Sequence, residues 1–230
     1  GRAWVVSISR HSEKKTARAE AQEEKKKLPE SARYQGDAKA GEIEIIDKRE
    51  SPKIRAKTGI LVEDKLHFFV RDAVRFPSGE VRTQMRVIGC TMSDGPSGVV
   101  ALAWRDGKLF LREMFRHATR RWELETPRGQ RETGFSAEEA ARKEIDEELG
   151  FRVKTIEKIG DVSGDSALLA STLPIFWAEL EPGPPRDHPE KSEAFGKIVS
   201  LTALELKERI LRGDIRDGYT LSAITFAQLS

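Results

Sequence analysis

One segment of the chain, residues 136–150, constrains the fold most. Ser136 and Glu139 form a capping box, in which each residue can satisfy a backbone N–H of the other at the start of a helix. The letters between them and Gly150, AEEAARKEIDEEL, are rich in strong helix formers, and a glycine commonly ends a helix. The sequence therefore predicts a capped helix over 136–149.

The predicted helix carries three glutamates, Glu144, Glu147 and Glu148, at positions i, i+3 and i+4. This spacing places their carboxylates along one side of the helix, where each like-charged pair costs about 0.2–0.5 kcal/mol. A divalent cation would reverse that repulsion, because Mg²⁺ prefers oxygen ligands. On the spacing alone, a solvated acidic face is the simpler interpretation, since Glu is a good helix former.

Short apolar or alternating runs, separated by turn residues, predict strands along most of the remaining chain. The runs lie near 43–46, 65–75, 80–88, 98–105, 108–113, 122–126, 153–160, 174–180 and 197–201. Thr202 and Glu205 form a second capping signature, and the tail YTLSAITFAQL predicts a closing helix. The predicted fold class is α/β (α+β), with a mixed sheet held between helices and a β-rich extension before it.

Composition sets the domain limits and excludes several classes of protein. Residues 1–40 predict a charged arm, helical or disordered, residues 41–97 a β-rich subdomain, and residues 98–230 the main domain. With 40 basic and 38 acidic residues, a nucleic-acid partner is not expected. The longest apolar run, 99–104, is far below the roughly 20 residues of a membrane span. A single cysteine, Cys90, favours a reducing cytoplasm.

The segment from Gly129 to Phe151, GQRETGFSAEEAARKEIDEELGF, closely resembles the Nudix box, a loop, helix and loop with glycines and glutamates at fixed spacing. The first glycine, the three helix acids, the closing glycine and the apolar ends match. Phe135 stands where the family's first glutamate belongs, and Lys143 where its arginine belongs. In the family these two side chains pair and brace the loop, so the resemblance implies that the metal ligands are kept and this ion pair is lost.

The resemblance covers roughly residues 65–230. The letters FRHATRRWELETPRG before the box, and ERILRGDIRDGYTLSAI near the end, resemble segments of ADP-ribose and nucleotide-sugar pyrophosphatases of the Nudix family. It implies that residues 98–230 form a Nudix hydrolase domain. The implied reaction is hydrolysis of ADP-ribose or a nucleotide sugar to a nucleoside monophosphate and a sugar phosphate, with Mg²⁺ or Mn²⁺.

Two alternatives stay open at this point. One is a Nudix hydrolase of dinucleoside polyphosphates, coenzymes or capped nucleotides, because the box supplies only the metal and phosphate chemistry. The other is a lapsed enzyme that binds a ligand or a protein partner, suggested by the two altered box positions. Retention of all three helix glutamates argues against the lapsed enzyme.

The resemblance also implies a role for each acid. Glu144 and Glu148 would bind the metal together with the backbone carbonyl of Arg128, and Glu147 would act in catalysis by binding a second metal ion or its waters. A further catalytic acid is expected from the loop before the last predicted strand. Glu193 is the first choice for it and Glu190 the alternative.

Other residues near the box are candidates for substrate binding. Arg116 and Arg128 suit phosphate oxygens, because a guanidinium can bind them bidentately, although two more arginines, at 120 and 121, lie nearby. Glu125 and Trp122 could face the nucleoside or fill the sheet, and for Trp122 we expect core packing. The resemblance and the apolar strands before residue 98 together predict a homodimer, in which that segment forms part of the partner contact or of the partner's substrate pocket.

Overall fold

The structure is a computed structural model that describes residues 26–51, 54, 56–93, 95–186 and 194–229. The chain divides into two compact units, one of Gly1–Ser93 with Asp165–Ala170, and one of Asp94–Gly164 with Ser171–Ser230. Residues 1–25 of the predicted arm lie outside the described residues. The predicted domain limits at 40 and 97 stay predictions.

The first unit contains a four-stranded antiparallel sheet. Its strands are β1 (Glu44–Ile46), β2 (Gly59–Glu63), β3 (His67–Arg75) and β4 (Val81–Gly89). β3 pairs with β4 along its whole length and with β1 and β2 over successive parts, so β3 is the centre of the sheet. Leu28 and Ala32 are buried against the sheet residues Phe68 and Ile88, so the end of the predicted arm belongs to this core.

The second unit contains a seven-stranded mixed sheet. Its strands are β5 (Gly98–Arg105), β6 (Lys108–Arg116), β7 (Arg121–Glu125), β8 (Arg128–Gln130), β9 (Val153–Val162), β10 (Leu173–Leu180) and β11 (Phe195–Thr202). The main order is β11-β6-β5-β10-β9, while β7 pairs with β6 and β8 with β5. β5 and β10 are parallel and the other pairs antiparallel, so the sheet is mixed as predicted.

Three α-helices lie among the described residues: α1 (Ala137–Leu149), α2 (Ala203–Leu211) and α3 (Gly218–Leu229). The capping box of Ser136 and Glu139 is present at the start of α1, and Gly150 ends the helix in a left-handed conformation with φ of 71°. The predicted helix over 136–149 is therefore confirmed, with Ser136 as its N-cap and Ala137 as its first helical residue. No helix in the described part of the chain is both long and apolar enough to cross a membrane.

Alternate side chains of β5 point to opposite faces of the sheet, and different helices cover the two faces. Val99 and Ala101 are buried in one cluster with Ile145 of α1, whereas Val100 and Leu102 are buried with residues of α2 and α3 in another. Burial of each valine, leucine or isoleucine side chain in these clusters contributes about 1.5–3 kcal/mol. The sheet is sandwiched between helices, which confirms the predicted fold class.

Two strands, β2 and β8, were not predicted. β8 is three residues long and lies in a polar segment without strand periodicity, so only its pairing with β5 defines it. The expectation that Trp122 packs in the core is wrong, since it is 50% exposed. Trp122 lies in the short strand β7, which pairs with β6, and its ring meets Phe115 edge to face.

Candidate active site

The short strand β8 brings the loop before the box against the centre of the sheet. Arg128 is paired with Val100 and Gly129 with Val99 of β5. Just before β8, the hydroxyl of the fully buried Thr126 donates to the carbonyl of Ala101, at 2.5 Å. These bonds fix the peptide of residues 128–129 beside α1.

Glu144 of α1 lies directly over Gly129. A Cβ built on Gly129 would fall 2.1 Å from Oε1 and 2.4 Å from Oε2 of Glu144. A side chain at this position would force Glu144 to move, because real Cβ atoms essentially never come within 3.0 Å of atoms outside their own residue and its chain neighbours. The box glycine therefore makes room for a carboxylate.

Glu148, one helical turn further, meets the neighbouring residue. Its Oε1 accepts a long hydrogen bond of 3.4 Å from the backbone N–H of Arg128, and the residue is only 4% exposed. Burying a carboxylate is costly unless charge or hydrogen bonds compensate it. Two of the three predicted metal ligands, Glu144 and Glu148, thus converge on the backbone of Arg128 and Gly129.

The third helix glutamate, Glu147, points elsewhere. Its Oε1 lies 3.5 Å from Nζ of Lys143, and its side chain is 36% exposed. Among the described residues, no group of three or more acidic, histidine or cysteine side chains lies close enough to hold a cation. The donor set that fits a divalent cation is the Glu144 and Glu148 carboxylates beside the residue 128–129 peptide, since hard cations take such oxygen ligands.

An ion pair braces the loop against α1, although Phe135 cannot form the family's pair with residue 143. Nζ of Lys143 lies 2.5 Å from Oε1 of Glu132, three residues before Phe135. The hydrogen bond with Glu132 raises the pKa of Lys143, against a lowering by burial. Lys143 pairs with Glu132, a residue outside the box pattern. This ion pair connects the loop to α1 in place of the family's pair.

A second device supports the same loop. The guanidinium of Arg131, which is 3% exposed, donates to the carbonyl of Pro96 at 2.8 Å and to that of Phe135 at 2.9 Å. Because Pro96 precedes β5 and Phe135 precedes α1, Arg131 ties this loop to the start of β5. Sequence reasoning missed this residue, since nothing in its spacing separates it from other arginines.

The three predicted substrate-binding residues come together in one charged cluster. Glu125 is 1% exposed, and its Oε2 lies 2.6 Å from Nη2 of Arg116 and 3.0 Å from Nη2 of Arg128. Arg128 also pairs with Asp217 at 3.3 Å and lies over the ring of Tyr219, 5.1 Å from its centre. Their substrate-binding roles stay predictions.

Asp217 links this cluster to α3. Its Oδ2 accepts from the backbone N–H and the hydroxyl of Thr220, both at 2.8 Å, which caps the start of the helix. The same hydroxyl accepts from the backbone N–H of Thr126 at 3.1 Å. One polar network therefore ties the start of α3 to the peptide that leads into β8.

The predicted loop acids Glu190 and Glu193 lie outside the described residues. The described chain stops at Arg186, whose backbone N–H donates to the carbonyl of Gly150 at 2.8 Å and whose side chain pairs with Asp146 of α1. It resumes at Ala194, whose carbonyl accepts from the backbone N–H of Phe115 at 3.0 Å. The roles of Glu190 and Glu193 stay predictions.

One basic residue near the site, Arg112 of β6, was not predicted. Burial lowers the pKa of its guanidinium, and the nearby carboxylate of Glu148 opposes that shift. It lies four residues before Arg116, and positions four apart in a strand share a face. That alternation, applied to β6, is the sequence signal that could have identified it.

The comparisons with known proteins agree on one family. The family model described as NUDIX domain matches residues 94–217. The ADP-ribose pyrophosphatase of Bacillus subtilis (strain 168) is 27% identical over 182 residues, covering 77% of this chain and 92% of that protein. A crystal structure titled as an ADP compounds hydrolase, 20% identical, superposes with a TM-score of 0.62 and covers 75% of this chain and 90% of the other, which supports the fold.

Proposed function

Because this chain belongs to the NUDIX family and is a hydrolase, we propose that it cleaves the diphosphate of ADP-ribose or a related nucleotide sugar. The products are a nucleoside monophosphate and a sugar phosphate. Family members use divalent metal ions, and we propose Mg²⁺ or Mn²⁺ here. We assign the activity to the predicted domain of residues 98–230.

The observation that carries the proposal is the convergence of Glu144 and Glu148 on the backbone of Arg128 and Gly129. These carboxylates, with the Arg128 carbonyl, would hold a divalent cation. Such a cation neutralises nonbridging phosphate oxygens and so stabilises the charge that develops in the transition state. The proposed substrate class comes from the Bacillus subtilis relative, which is named as an ADP-ribose pyrophosphatase.

The chain's own residues divide the remaining work. A water attacks one phosphorus, the bond from that phosphorus to the bridging oxygen breaks, and a carboxylate takes the proton of the water. Glu147, Glu193 and Glu190 are the candidates for that carboxylate. The side chain of Glu147 is 36% exposed and lies beside Lys143. Glu147 is therefore on the same helix as the proposed metal ligands but is accessible to water.

The cluster around Glu125 orients the substrate in this proposal. Arg116 and Arg128 share the buried Glu125, so their guanidinium planes are fixed before a ligand arrives. Preorganised donors cost little reorganisation at the moment of reaction. We place a phosphate of the substrate beside these two guanidiniums.

Assembly and location follow from the sequence alone. We propose a homodimer with the segment before residue 98 at the partner contact or pocket. Cytoplasmic location rests on the single cysteine. Sedimentation at micromolar concentration tests the dimer, and a particle of about the 25.8 kDa chain mass would contradict it.

A substrate panel with product analysis tests the function. ADP-ribose, a nucleotide sugar, a dinucleoside polyphosphate and a capped nucleotide are each incubated with Mg²⁺, with Mn²⁺ and with EDTA. We expect the first two to give a nucleoside monophosphate and a sugar phosphate only when metal is present. Preferred cleavage of the last two would replace the proposed substrate class, and no metal-dependent turnover of any substrate would contradict the proposal.

A further inference from the structure

Arg112 of β6 is a partly buried cation with an unusual environment. Its guanidinium lies over the ring of Phe195, 4.8 Å from the ring centre. Its Nε is buried and has no hydrogen-bond partner. Within the described residues, the structure gives the Arg112 side chain no hydrogen bond and no ion pair.

Such an environment is costly for a guanidinium, because buried charged groups are normally paired and hydrogen-bonded. Arg105 of β5, in the same sheet, is an arginine whose guanidinium does have hydrogen-bond acceptors. It also lies 4.8 Å from the centre of a phenylalanine ring, that of Phe151. Its Nη1, however, donates to the carbonyls of Glu181 at 2.8 Å and Gly183 at 3.0 Å.

The position of Arg112 places it in the candidate site. Arg112 is the register partner of Glu125, and Arg116 lies four residues further along the same strand. Glu148 is the carboxylate that acts electrostatically on it. Arg116 and Arg128 are both engaged by Glu125, whereas Arg112 keeps its donors for another acceptor.

We propose that Arg112 is a substrate-binding residue that donates to nonbridging oxygens of the diphosphate group. The ring of Phe195 fixes the guanidinium plane on one side, so that its N–H edge stays available for a planar, bidentate contact. A diphosphate between Arg112 and a cation held by Glu144 and Glu148 would also separate two positive charges. This assignment rests on the proposed function.

Binding without turnover provides the test. Affinities for inorganic pyrophosphate and for ADP-ribose are measured by calorimetry in EDTA, for the full-length wild type, Arg112→Met and Arg105→Met. We expect Arg112→Met to weaken both by about tenfold or more, the worth of a charged hydrogen bond, and Arg105→Met to leave them unchanged. Unchanged affinity in Arg112→Met, or no measurable binding to the wild type, would overturn the assignment.

Thermal unfolding separates a binding role from a structural one. Arg112→Met removes a partly buried charge and keeps an unbranched side chain against Phe195, so we expect a melting temperature no lower than that of the wild type. Arg105→Met should lower the melting temperature, because it removes two hydrogen bonds. A lower melting temperature for Arg112→Met with unchanged affinity would make Arg112 structural. If the wild type hydrolyses nothing while pyrophosphate binding still depends on Arg112, the proposed function fails and the anion site stands.

Discussion

The carboxylate of Glu144 occupies the space that a side chain on residue 129 would fill, because a Cβ on Gly129 would lie 2.1 Å from its Oε1. We expect Gly129→Ala to push this carboxylate aside and to lower metal-dependent turnover by about a hundredfold, the cost of a misplacement near 1 Å. The fold should survive, since the obstructing atoms are the far end of a flexible side chain. Steady-state kinetics and circular dichroism measure the two effects.

Gly218→Ala is the matched control for this substitution. A Cβ on Gly218 meets no heavy atom within 4 Å, and the residue starts α3 in an ordinary backbone conformation. Its activity should equal that of the wild type. Full activity in Gly129→Ala would show that Glu144 does not need this position.

The ion pair between Lys143 and Glu132 should contribute little to stability. Both side chains are more than a third exposed, so solvent screens the pair. A double-mutant cycle with Lys143→Met and Glu132→Gln should give a coupling below about 1 kcal/mol. The metal requirement of Glu132→Gln should match that of the wild type, and a coupling well above that limit would mean that the loop depends on this brace.

The capping box predicts a pH-dependent contribution of Glu139. The backbone N–H and then the hydroxyl of Ser136 lower the pKa of Glu139. A carboxyl whose pKa is lowered by folding adds stability above its ordinary pKa, and that stability is lost as the pH falls through the lowered value. Chemical denaturation should therefore show Glu139→Gln less stable than the wild type at pH 7, with the gap closing below pH about 4.

Glu138→Gln controls for charge in this experiment. Glu138 also lies in the first turn of α1, but it pairs with Arg142 at 3.0 Å rather than with the capping serine. The two variants lose the same formal charge near the helix start. An equal pH dependence in both would assign the effect to the helix dipole and would contradict a specific role of the box.

The parts of the fold that the sequence predicts are those set by local signals. α1 could be placed to within one residue of its observed bounds because its cap residues, its composition and its final glycine agree. The apolar run at 98–105, which forms β5, likewise depends only on neighbouring residues. These features need no knowledge of distant contacts.

The features that escaped prediction depend on tertiary contacts. β8 exists because residues 128–130 pair with β5, about 30 positions earlier. The Lys143–Glu132 pair required the path of the loop, and the environment of Arg112 required the position of Phe195. A tryptophan in a predicted strand is expected in the core, but Trp122 lies in the short strand β7 and is 50% exposed.

In the proposed reaction, Glu148 together with Glu144 would hold the cation that cleavage of the diphosphate needs. The most direct test is the rate of ADP-ribose hydrolysis with Mg²⁺ for the wild type, Glu148→Gln and Glu138→Gln, each checked for folding by circular dichroism. We predict that Glu148→Gln lowers the turnover rate by about a thousandfold, which corresponds to a loss of about 4 kcal/mol of transition-state stabilisation. Glu138→Gln should turn over at the wild-type rate. Full metal-dependent turnover in a folded Glu148→Gln enzyme would contradict the claim.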